Sequence, residues 1–133
     1  MKLREEIDSW RLRPPYGGVR IAPLPEVYSF SASVQDRVWF ILDAMDWPEL
    51  LVFDYSGFGR VVAPFVVGIS SEGNALMRGY QLAGESVGGL GLGWRVFQVR
   101  KMENLDVYQE FFDAEDFEFD GFYPWVYRVF KML

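Results

Sequence analysis

Arg60, Arg78 and Arg95 each lie in an apolar, strand-like run: RVVAPFVVG, LMRGYQLAG and GWRVFQV. A guanidinium is a planar fork of donors that grips phosphate or carboxylate through two parallel bonds and stacks on aromatic rings. Tyr80, Gln81 and Trp94 share those runs and add stacking and hydrogen bonding. The six residues make a candidate ligand-binding clamp for an anion such as a nucleotide or single-stranded nucleic acid. The plainer alternative pairs each arginine with a carboxylate, such as Asp54, Glu72, Glu85 or one in the acidic tail, and leaves Tyr80 and Trp94 to the core.

Catalytic chemistry is thinly supplied. The 133 residues contain no histidine to move protons near neutral pH and no cysteine to act as nucleophile or zinc ligand. Ser56, Ser70, Ser71 and Ser86 sit in turn-like contexts without a nucleophile-elbow motif. The run GESVGGLGLG lacks the Gly-Lys-Ser/Thr ending of a phosphate loop and reads as a strand connection able to fold over the domain. In QEFFDAEDFEFDGFYPW, Asp113, Glu115, Asp116, Glu118 and Asp120 do not follow a calcium-loop pattern. Phe117 and Phe119 alternate there with Glu118 and Asp120, which suggests an edge strand or a docked tail with one wet face. Such an acidic-aromatic strip fits a partner's basic groove, or covers the chain's own arginines until a ligand displaces it. The expectation is a non-enzyme with no catalytic residues, no cofactor and no metal. A carboxylate-only enzyme centred on Asp116 or Asp120 is the remaining catalytic alternative.

Composition bounds the class. Half the residues are apolar and 18% aromatic, enough for one core, and the length suits one domain. No apolar run approaches the roughly 18 residues of a membrane span. MKLREEIDSW has no apolar stretch behind its first charges, so no secretory signal is expected, and with cysteine absent the chain reads as cytoplasmic. The net charge of −6 is uneven: +1 over residues 1–32, −3 over 33–107 and −4 over 108–133. Such a field repels polyanions at long range, so any phosphate contact needs a local arginine cluster.

The elements that must position these residues follow from periodicity. Residues 1–32 hold four of the seven prolines and form an extended arm, anchored through Trp10, Tyr16, Ile21, Tyr28 and Phe30. From Ser33, read as the N-cap with Asp36 in the first turn, a helix places Val34, Val38, Ile41, Leu42 and Met45 on one face and ends at Pro48. Strands follow in LLVFDYSG and at about residues 60–69, 75–83, 94–100 and 124–132. Gly57 and Gly59 turn the chain into Arg60, and a long acidic connection precedes the last strand. One helix followed by about five short strands gives a mainly β fold, a small curved sheet or barrel. Alternation sets Arg78 with Leu76 and Tyr80 on one face, Met77, Gly79 and Gln81 on the other, and Arg95 with Phe97 and Val99.

Over residues 33–133, the segments VFDYSG, RVVAPFVVGISSEGN, LMRGYQLAG, GWRVFQVRKMENLDV and WVYRVFKML resemble the small WYL-like domain proteins. Where the larger family carries Trp-Tyr-Leu, this chain has Ala75-Leu76-Met77. The resemblance implies a five-stranded Sm-like, Src-homology-3-like barrel. It also implies a ligand-sensing or nucleic-acid-binding role in bacterial regulation. Two functional expectations therefore stand: an anion-binding regulatory module using the clamp, or a protein-interaction module using the Pro-rich arm and the acidic-aromatic tail. Oligomeric state is not legible in the sequence.

Overall fold

The computed structural model describes residues 30–86, 89–119 and 126–133. Trp10, Tyr16, Ile21 and Tyr28 of the expected arm lie outside them, as does Asp120. Phe30 is described, and it packs edge-to-face on Phe130 with ring centroids 6.2 Å apart.

Helix α1 spans Ala32–Asp46. Its N-cap is Ser31, two residues before the expected Ser33, and the Ser31 hydroxyl accepts from the Val34 amide at 3.3 Å. Asp36 accordingly falls beyond the first turn. Val34, Val38, Ile41, Leu42 and Met45 are buried as their spacing requires, joined by Ala44. Burying each large aliphatic side chain contributes about 1.5–3 kcal/mol.

Seven strands follow: β1 Glu49–Tyr55, β2 Phe58–Ile69, β3 Ala75–Ser86, β4 Gly89–Leu90, β5 Gly93–Gln98, β6 Glu103–Phe111 and β7 Arg128–Met132. Six are antiparallel neighbours in one sheet, and the two-residue β4 adds to the end of β3. The main path runs β5-β3-β2-β1-β6. The long β2 pairs with β1 through Phe58–Val62 and with β7 through Val66–Ile69. Ser56 and Gly57, at φ 53° and 82°, make the two-residue turn between β1 and β2, where left-handed backbone matches the strand twist. The pairings trace an open path, with β5 and β6 at its ends.

Strand β6 corrects the expected long acidic connection. Leu105 and Val107 are half-buried among exposed polar neighbours, a one-sided edge strand. Its period of two is interrupted by left-handed residues Asn104 and Gln109, at φ 53° and 63°, and by two register shifts against β1. Such bulges hide a strand from alternation and blunt its free edge. Residues 99–101 form a 3-10 turn instead of extending β5, and β7 begins at Arg128.

Two apolar clusters lie on the sheet. The larger joins α1 to Phe53, Val62, Met77 and Phe97 and defines the helix side. The smaller gathers around Phe65 with Val66, Val129 and the half-buried Trp94, Phe112, Phe117 and Phe119. It defines a second side, covered by residues 112–119, here called the strap.

Candidate functional site

The β3–β5 register sorts the six clamp residues into two groups. Tyr80 stands opposite Trp94 and Arg78 opposite Val96, whereas Gly79 pairs with Arg95 and Gln81 with Gly93. Cross-strand partners share a face. Arg78, Tyr80 and Trp94 therefore lie on the strap side, and Gln81 and Arg95 on the helix side. Arg60 joins the second group: its Nη1 donates to Gln81 Oε1 at 3.4 Å. The structure thus builds two three-residue clusters back to back rather than one clamp of six.

On the helix side, Arg60 is 4% exposed and Gln81 fully buried. The Arg60 Nη2 donates to the Tyr55 carbonyl at 3.0 Å, and its guanidinium lies 5.2 Å from the Tyr55 ring centroid and 5.7 Å from that of Phe97. Tyr55 is itself held by its hydroxyl, which accepts from the Gln98 amide at 3.0 Å. The half-buried Arg95 donates from Nε to the Gly91 carbonyl at 2.6 Å. Gly91 passes close by: a Cβ there would come within 2.6 Å of Gln81 Nε2. The glycine-rich connection thus lays bare backbone over the cluster.

The electrostatics of this cluster are unbalanced. Burial pushes the Arg60 guanidinium below its ordinary pKa, the positive charge of Arg95 adds to the effect, and Tyr55 opposes it. Arg60 Nε and Gln81 Nε2 are buried without a hydrogen-bond partner. Among the described residues, neither Arg60 nor Arg95 forms an ion pair with a carboxylate. The expected alternative, arginines paired with Asp54, Glu72, Glu85 or the acidic tail, is therefore not what the structure shows for these two among the described residues, which exclude Asp120 of the tail. By contrast Lys131, also buried, reaches a carboxylate oxygen of Asp46. Two guanidiniums and an amide N–H without an acceptor are the donor types that hold a phosphate or carboxylate group.

On the strap side the side chains already have occupants. The Arg78 guanidinium stacks 5.3 Å from the Trp94 ring centroid and 5.9 Å from that of Phe119. Phe117 packs on Phe65 and Tyr80, and Phe119 on Phe65 and Trp94, all with centroids 5.2–5.4 Å apart. The acidic tail is thus a docked segment with one wet face: Phe117 and Phe119 turn inward and Glu118 outward.

Sequence reasoning missed Gly91 and Tyr55 as parts of the helix-side cluster. The sequence signal for Tyr55 was its place just before the Ser56-Gly57 turn that leads to Arg60. For Gly91 it was the density of glycines ahead of Trp94. No group of three or more His, Cys, Asp or Glu that could hold a metal occurs among the described residues. Nor is any described helix long and apolar enough to cross a membrane. No protein-family model, curated protein or solved structure matches the chain.

Proposed function

We propose that the chain is a non-enzymatic, cytoplasmic ligand-sensing module of the WYL-like kind. Its sheet is read as a small Sm-like, Src-homology-3-like barrel with its gap between β5 and β6. The path β5-β3-β2-β1-β6 supports this, because the last main strand returns to pair with the first. The ligand is anionic, a nucleotide or single-stranded nucleic acid, and Arg60, Gln81 and Arg95 receive its phosphate. The carrying observation is the pair of guanidiniums, one buried, without a carboxylate partner among the described residues. An uncompensated buried charge destabilises a fold by several kcal/mol unless something completes it. Arg60 and Gln81 reach only the anionic group. The half-buried Arg95 and the exposed Leu92 mark where the rest of the ligand emerges.

The test is fluorescence anisotropy of a labelled oligothymidylate. Arg60→Met and Arg95→Met should each weaken binding at least about tenfold, the order of a lost charge-assisted hydrogen bond. The double variant should also flatten the dependence of log affinity on log salt by roughly 0.7, from one phosphate contact on a single strand. Binding and salt slope unchanged in the double variant would sink the reading. A second reading, a protein-interaction module, is favoured by the strap, an acidic-aromatic segment seated on an aromatic face.

A further inference from the structure

The face formed by Phe65, Tyr80 and Trp94 shows its own binding preference, because it holds a peptide segment. Two phenylalanines of the strap, separated by one outward carboxylate, sit against those rings. The Arg78 guanidinium lies over the rings of Trp94 and Phe119. We propose that this face is a docking surface for an extended acidic-aromatic peptide on a partner protein, and that the strap occupies it in cis until such a peptide displaces it. The proposal rests on the interaction reading and is independent of the anion site at Arg60 and Arg95.

Three features make the strap displaceable. After the Phe112 amide donates to the Pro48 carbonyl at 3.1 Å, the backbone bonds of residues 113–119 are all internal to the strap among the described residues. Beyond Phe112, side chains alone fasten it to the sheet among the described residues, and segments without ladder bonds open at far lower free energy than core strands. Asp113, Glu115, Asp116 and Glu118 make no ion pair with a described residue, so four like charges crowd six positions. The root of the strap is also loosely seated: an open hollow of about 480 Å³ lies between Pro48, Phe111, Phe112, Ala114 and Leu133, rimmed by Asp113 and Glu115. A tethered segment competes at an effective concentration on the order of millimolar. A partner therefore binds with an affinity reduced by the fraction of time the strap is closed.

The test uses the full chain and a labelled synthetic peptide, FFDAEDFEF, the sequence of residues 111–119. The double substitution Phe117→Ser and Phe119→Ser should bind the peptide at least about tenfold more tightly than the wild type, because the closed population is removed. Adding Trp94→Ala should abolish that gain. Hydrogen exchange on the wild type supplies a readout that does not depend on how the variants fold. Amides of residues 115–119 should exchange much faster than those of the β2–β3 ladder, and faster still with excess peptide. Exchange of the strap at the ladder's rate would overturn the proposal. So would a folded double variant that binds the peptide no better than wild type, or one that takes oligothymidylate in its place. The peptide is read at Trp94 and the oligothymidylate of the anion site at Arg60 and Arg95, so either result can fail alone.

Discussion

On the two sides of the β3–β5 ladder, successive residues of the same strands meet opposite fates. Arg78, Tyr80 and Trp94 are wrapped in rings, and the Arg78 cation lies over aromatic faces that reward it. Arg60 and Gln81, reached by stepping to the other face, carry buried donors without acceptors, and Arg95 adds a second like charge beside them. A face filled by stacked rings serves stability, and a face that sets two like charges beside an amide without an acceptor is poised for an anion. Part of that ring cluster comes from the strap, which beyond Phe112 is held to the sheet by side chains among the described residues.

The largest expected effect is on the strap side. Phe65 touches Trp94, Phe112, Phe117 and Phe119 and is 1% exposed, so Phe65→Ala should lower unfolding free energy by about 3–5 kcal/mol in urea. It should also speed hydrogen exchange of residues 115–119 before any other segment. A small loss, with strap exchange unchanged, would break the claim that this cluster fastens the strap.

A smaller and opposite effect is expected on the helix side. Arg60→Met removes a buried charge that no described carboxylate neutralises, and should leave stability within about 1 kcal/mol of wild type or raise it. Lys131→Met breaks the ion pair with Asp46, and should cost about 2 kcal/mol, the order of a lost charge-assisted hydrogen bond. The pH dependence follows from the lowered pKa of Arg60. The unfolded arginine holds its proton more tightly than the folded one, so its burial penalty is fully present at neutral pH and is relieved only in the strongly alkaline range. The stability difference between Arg60→Met and wild type should therefore be flat between about pH 6 and 9. If Arg60→Met destabilises as Lys131→Met does, the contrast between the two buried cations fails.

Much of this arrangement was legible in the residues. The helix face, the β1–β2 turn and the alternation of Arg78 with Tyr80 against Gln81 all follow from local periods, which depend only on neighbouring residues. That alternation already placed Gln81 and Arg78 on opposite faces, so a single clamp containing both was inconsistent with it. Three things were not legible. Bulges at Asn104 and Gln109 erased the period of β6. The register that sets Gly79 against Arg95 is a long-range pairing that no local pattern encodes. Gly91's approach to Gln81 depends on how a loop folds back, which composition alone does not state.

The central claim is that Arg60 and Arg95, and not Arg78, receive an anion. The most direct measurement is nitrogen-15 NMR of the arginine Nε–H groups during titration with thymidine 5′-monophosphate. The Arg60 and Arg95 resonances should shift together in a saturable way, while that of Arg78 stays in place. Movement of Arg78 with Arg60 and Arg95 unmoved, or no saturable shift in any of them, would contradict the account.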